Sequence, residues 1–251
     1  MILESVVAGL FAGVFGALVG LGGGILMVPV LTLLFGLPMS EAIPASLVGV
    51  VATAMGGTAS FLRTGYTDTS LAIRAGAITV LGAMIGARLG VLVPERALQL
   101  GFALLIFVIV WRMFRGRNSE DHAPGDANVG RAFGLFLGSG LLAGMLGVGG
   151  GILNVPAIRL ALKRTMIAAV ATSTMIVAFT GTAGATMYAS AGMLKWSLAA
   201  GCATGAFVGG RIGAAWAPRV PRKQLQQIFM IVIIYVGIEM AVRGLELPWW
   251  R

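Results

Sequence analysis

The sequence predicts an all-α, polytopic membrane protein made of two duplicated halves, and three observations carry that prediction. Hydrophobic residues make up 58% of the 251 residues and charged residues 11%, with a mean hydropathy of +0.94. A soluble domain carries about a quarter charged residues. Apolar runs of about twenty residues recur along the chain, enough for a helix to cross a hydrocarbon core. Finally, the stretch GLGGGILMVP at residues 20–29 returns at 147–156 as GVGGGILNVP, identical at eight of ten positions.

Other classes fit poorly. A membrane β-barrel needs alternating polar and apolar residues, and runs such as FALLIFVIVW (102–111) and IFMIVIIYVG (228–237) do not alternate. Glu4 is the only early charge, so a cleaved secretory signal is not expected. Cys202, the one cysteine, is expected to be a small buried residue. The net charge of +9 is scattered between apolar runs, which reads as topology signals and not as a nucleic-acid surface.

The duplication extends well beyond the glycine motif. At an offset of 127, Gly57 meets Gly184, Gly65 meets Gly192, and SLA at 70–72 meets SLA at 197–199. The offset then falls to 123, where GAMIGARLG (82–90) meets GAFVGGRIG (205–213). The polar stretch RGRNSEDHAPGDANVG contains the only histidine, His122. The expected organisation is one repeat at 1–114, a linker at 115–130 and a second repeat at 131–251. Each repeat divides into four apolar segments: about 6–36, 42–62, 71–92 and 97–114, then about 131–160, 165–189, 195–216 and 224–243.

The first segment of each repeat is too long. About thirty residues would reach about 45 Å as one straight helix, against a core of about 30 Å. Glycines and a proline interrupt its middle, so it either breaks and crosses or enters, turns and leaves on the same side. Positive charge favours the hairpin. With crossing segments, Lys and Arg sort nine against seven; with hairpins they sort twelve against four, Arg88 and Arg211 being left out as internal to segments. The hairpins also invert the second half relative to the first, a common carrier architecture. Both termini are then periplasmic. The broken crossing helix is the alternative.

Irregular backbone within a membrane must be buried in protein or line a wet cavity. Two such breaks in inverted halves would meet near the midplane, where carriers of this build bind substrate. Gly22, Gly23 and Gly24, and Gly149, Gly150 and Gly151, let the chain turn and a ligand approach the backbone. The helix after each break, with Pro29 or Pro156 near its first turn, aims N–H groups at Ile25 and Ile152 into the site, which favours an anion. Glycines that merely allow close helix packing are the alternative.

Nearby hydroxyls are further candidate ligands. Ser46, Thr53 and Thr58 lie in one second segment, and Thr172, Ser173, Thr180 and Thr182 in the other. Ser46 matches Ser173 and Thr53 matches Thr180 at the 127 offset. Back-bonding within their own helices is the competing role. Asn154 stands where the first half has Met27 and would make the site asymmetric. Arg88 and Arg211 are equivalent, and either snorkel to the surface or guard and attract at the two entrances. Glu239 can pair with Arg243 one turn later. The glycine run fails the dinucleotide fingerprint by register, GSG at 138–140 has no histidine within a segment, and no Cys/His cluster is present. No cofactor or metal is expected.

The motifs GLGGGILMVPVL and GVGGGILNVPAI, with GAMIGARLG and GGRIG in the third segments, resemble the signature of the TauE/SafE sulfite exporters, the TSUP permeases. The resemblance covers about residues 6–243. The family's hydroxyl stretch, often GTS, is ATS at 171–173 and PAS at 44–46 here. The resemblance implies export of a small sulfur-containing anion, of the sulfite, sulfonate or sulfoacetate class, across the bacterial cytoplasmic membrane. No nucleotide-binding motif is present, so protons or membrane potential are the expected coupling. An anion channel and a non-transporting membrane scaffold are the rival functions.

Overall fold

The computed structural model describes residues 2–19, 23–115, 129–216 and 222–245. Gly22, residues 116–128 of the expected linker, and Arg117, Arg219 and Arg251 of the charge sorting lie outside the described residues. Every regular element among the described residues is helical.

The first half contains α1 (Ile2–Val19), α2 (Gly24–Pro29) with a π-helical turn at Val30–Leu34, α3 (Met39–Arg63), α4 (Thr69–Leu92) and α5 (Glu95–Arg115). The second half repeats the order with α6 (Val129–Leu146), α7 (Gly151–Pro156) and its π turn Ala157–Ala161, α8 (Met166–Ser190), α9 (Trp196–Trp216) and α10 (Arg222–Gly244). Among the described residues, α3, α4 and α8 meet a strict length and hydropathy test for a membrane span. The 25 residues of α3 reach about 37 Å.

Local chemistry sets the helix starts. Asp68 caps α4 by accepting from the Leu71 N–H at 3.0 Å, and Thr165 caps α8 by accepting from the Ala168 N–H. Proline at the cap of α3 offers no side-chain acceptor, and Glu95, from the start of α5, supplies one by accepting from the Met39 N–H at 2.8 Å.

The prolines correct one expectation. Pro29 and Pro156 close their short helices instead of opening them. A proline carries no N–H, so the i→i−4 ladder is interrupted there, and the following turn widens to π geometry.

Packing contacts fix the helix directions. Gly205, Gly209 and Gly213 of α9 lie against Val6, Leu10 and Val14 of α1, so these helices run parallel. Gly49, Thr53 and Gly56 of α3 meet α9 at Cys202, Ala206 and Phe207, again parallel. Therefore α1 and α3 share one direction, and the chain between them returns toward the end where α1 began. The second half behaves in the same way. In α4, Gly82 and Gly86 meet Leu137 and Leu141 of α6, and Gly76 and Thr79 meet Phe179 and Thr180 of α8. Across the halves, α3 and α8 are antiparallel: Leu47, Val51 and Gly57 meet Gly184, Gly181 and Thr174 in reverse order. The equivalent helices α5 and α10 also run antiparallel, through Leu100 with Gly244 and Ile106 with Gly237.

Each half's first helix thus packs on the other half's third segment. The glycines of GAMIGARLG and GAFVGGRIG, four residues apart, bring the backbones into contact, the close approach that drives helix association in lipid. The outward faces remain apolar, with Leu81, Ile85, Leu104, Phe107 and Ile238 exposed. Exposed Trp196 and Trp216 bracket α9, whose 21 residues reach about 30 Å, the hydrocarbon thickness.

Candidate functional site

Both glycine turns lie at mid-length of the two central helices. Gly23 and Gly150 carry φ of 79° and Gly149 carries φ of 80°, a left-handed region that side chains rarely adopt. Gly149 packs on Val50 and Val177, near the centres of α3 and α8 and equivalent at the 127 offset. Gly24 meets the other motif directly: a Cβ there would stand 2.5 Å from the Gly147 carbonyl oxygen and 2.7 Å from Val50 Cγ2. The two turns therefore touch, sealed by the buried side chains of Val50, Ala54 and Val177.

The first N–H groups of each short helix have no intrahelical partner. The ladders begin with Leu26 and Met27 donating to the Gly23 carbonyl, and Leu153 and Asn154 donating to that of Gly150. Gly24 and Ile25, and Gly151 and Ile152, precede those first bonds.

The hydroxyls divide into those already engaged and those free. Ser46 donates to the Gly147 carbonyl at 2.9 Å, tying α3 to the opposite turn. Thr53 donates back to Gly49 at 3.1 Å and reaches Ala206 of α9 at 3.4 Å. Thr180 donates back to Ile176 and contacts the Thr79 hydroxyl of α4 at 2.9 Å. Thr172 accepts from the Asp68 N–H at 3.1 Å, and Thr182 is exposed and back-bonded to Ala178. Ser173 is buried with no partner for its hydroxyl. Asn154 is fully buried, and neither Oδ1 nor Nδ2 has a partner.

Asn154 and Ser173 share a depth. Gly149 touches Val177, and from that contact α7 runs back toward the start of α8. At about 1.5 Å per residue along both helices, Asn154 comes level with Thr172 and Ser173. Leaving a buried amide unpaired is costly; the Thr58 and Tyr188 hydroxyls are buried without partners as well.

Ser139 of α6 braces the second turn, a role the sequence did not signal. Its hydroxyl donates to the Gly150 carbonyl at 2.6 Å, and with Gly150, Ile152 and Leu153 it lines a small pocket reaching Leu105 of α5. Its counterpart at the 127 offset is Ala12, so the duplication gave no echo. The buried polar side chains among the described residues are all uncharged.

Charge gathers at the two ends. Lys195 pairs with Glu41 at 2.6 Å, and Arg164 pairs with Asp68 at 3.1 Å. Each pair joins the two halves, and the antiparallel α3 and α8 place them at opposite ends. Arg88 and Arg211 are exposed, each near the final turns of α4 and α9, and so at opposite ends as well. Glu239 pairs with Arg243 at 3.4 Å, and Arg243 also donates to the Thr32 carbonyl of the first π turn at 3.2 Å.

Known proteins agree on the class. A probable membrane transporter of Bacillus subtilis, YunE, is 29% identical, with 96% of this chain and 97% of that protein aligned. A probable membrane transporter protein of Xylella fastidiosa is 30% identical over 90% of both chains. A second Bacillus subtilis protein, YdhB, also named a probable membrane transporter, is 23% identical over 90% of this chain and 94% of its own. No solved structure matches. The family model described as sulfite exporter TauE/SafE matches residues 5–240, and the chain belongs to that family.

Proposed function

We propose that this protein is a secondary transporter that exports a small sulfur-containing anion, of the sulfite, sulfonate or sulfoacetate class, across the bacterial cytoplasmic membrane. The observation that carries the reading is the meeting of two glycine turns at mid-length of α3 and α8, with Asn154, on the helix that leaves the second turn, and Ser173, on α8, both buried and unpaired. The two halves are inverted repeats. Their first segments re-enter, and both termini face the periplasm. The opposed directions of α3 and α8, the shared direction of α1 and α3, and the twelve-to-four charge sorting support this topology.

The anion sits near the midplane. Backbone N–H groups of Gly24, Ile25, Gly151 and Ile152 face it, together with Asn154 and Ser173. Gly23, Gly149 and Gly150 shape the turns and allow close approach. Ser46, Thr53 and Thr180 hold the frame through the bonds they already make, and Thr172 ties α8 to the start of α4. Arg88 and Arg211 draw anions toward the two mouths. Protons or the membrane potential supply the driving force.

Counterflow of labelled sulfite in proteoliposomes tests the reading. A carrier shows uptake accelerated by unlabelled sulfite inside. Flux without that acceleration identifies a channel, and absence of flux identifies a scaffold.

A further inference from the structure

The unpaired groups of α7 and α8 say more than "anion". Asn154 offers two amide protons and one carbonyl oxygen, and both of its polar atoms are buried without partners. Ser173 adds a hydroxyl that donates or accepts. The equivalent first-half positions offer no such pair: Met27 replaces Asn154, and Ser46 spends its proton on Gly147. A fully deprotonated oxyanion would satisfy Nδ2 and the Ser173 hydroxyl, yet leave Oδ1 buried against negative charge. An oxyanion that retains one proton satisfies both ends of the amide. The charge balance agrees. The buried polar side chains among the described residues carry no formal charge, and a second negative charge in such surroundings is costly.

Resting on the carrier reading above, we infer that the anion is bound in its protonated, singly charged form, as hydrogen sulfite is, with its O–H donated to Asn154 Oδ1. The titrating proton belongs to the substrate. The ionisable groups on elements packed against α7 are otherwise placed. Arg131 is at the exposed start of α6, Arg159 on the π turn reaches toward the Met166 sulfur, and Tyr188 packs against Gly90 at the far end of α8. From α4, Asp68 is engaged by Arg164 and the Leu71 N–H.

The test uses the full chain in proteoliposomes at a clamped potential, with external pH varied from about 6 to 9, a range that spans the last proton of sulfite. Methanesulfonate, singly charged throughout, is the reference, followed as uptake or as inhibition of sulfite uptake. At fixed total sulfite, initial uptake should fall with the singly charged fraction, approaching about tenfold per pH unit in the upper range, while the methanesulfonate response stays flat. Asn154→Leu should erase the preference for hydrogen sulfite over methanesulfonate while leaving the protein monodisperse in detergent. Sulfite uptake that stays flat or rises with pH overturns the inference. So does a parallel fall for methanesulfonate, which would locate the proton on the protein, or a requirement for Na⁺, which would assign Oδ1 to a cation. Absence of flux for either anion in the unmodified protein would instead remove the carrier reading itself.

Discussion

Asn154 and Met27 occupy equivalent positions, yet one is a buried amide without partners and the other an apolar side chain packed against Gly49. A polar group held in that state lowers stability unless a ligand completes it. Asn154→Leu should therefore leave the melting temperature in detergent unchanged or raised. It should also weaken binding by about 1.5–3 kcal/mol, about ten- to a hundredfold in affinity; thermal unfolding and sulfite titration check both signs. Ser46 and Ser173 give the opposite contrast. Ser46→Ala removes the bond to the Gly147 carbonyl and should cost about 1–3 kcal/mol of stability with affinity little changed. Ser173→Ala should lower affinity with stability little changed. Equal effects of the two substitutions on affinity would mean that the halves share the ligand evenly. At Gly23 and Gly150 the left-handed backbone sets a separate limit, since a branched side chain is strained there whatever it touches. Val at either position should therefore lower the melting temperature as well as abolish transport.

The helices were legible in the sequence because their signals are local. The apolar runs and the small-residue spacing of GAMIGARLG act within a few residues. That spacing has a concrete role: Gly82, Gly86 and Gly90 bring α4 onto α6 as Gly205, Gly209 and Gly213 bring α9 onto α1. Gly86→Val would drive a branched side chain into the Leu141 backbone. It should separate α4 from α6 and sharply lower the yield of monodisperse protein, measured by size-exclusion chromatography. The π turns were not legible. Pro29 and Pro156 fit a first helical turn by propensity alone, and only the tertiary frame puts them at the far end of α2 and α7. The same holds for Glu95, whose role as acceptor for the Met39 N–H spans 56 residues of chain. Arg243 shows both kinds of information. Its pairing with Glu239 follows from helical spacing, whereas its bond to the Thr32 carbonyl depends on the fold.

Across the whole molecule, the duplication was readable as identity at a fixed offset, but which equivalent residues do chemistry was not. Ser46 and Ser173 are the same residue in the two repeats, yet only Ser46 finds a carbonyl, that of Gly147, while the Ser173 hydroxyl has no partner. Ser139 was invisible for the complementary reason that its equivalent, Ala12, is apolar. The topology is open to direct labelling. In a Cys202→Ala background, single cysteines at Leu3 and Leu34, both exposed, should react with an impermeant maleimide added to intact cells. Cysteines at Arg74 and Lys163 should not. Opposite behaviour of Leu3 and Leu34 would mean that the first segment crosses. The central claim, that two re-entrant glycine turns meet to hold an anion, is tested most directly by an experimental structure with sulfite bound. The account predicts the sulfur oxyanion at the edge of the paired turns, with its oxygens about 3 Å from N–H groups of Gly24 or Gly151 and from the Asn154 amide. An anion more than about 6 Å from both turns, well beyond hydrogen-bond reach, would contradict it and leave the glycines a role in packing alone.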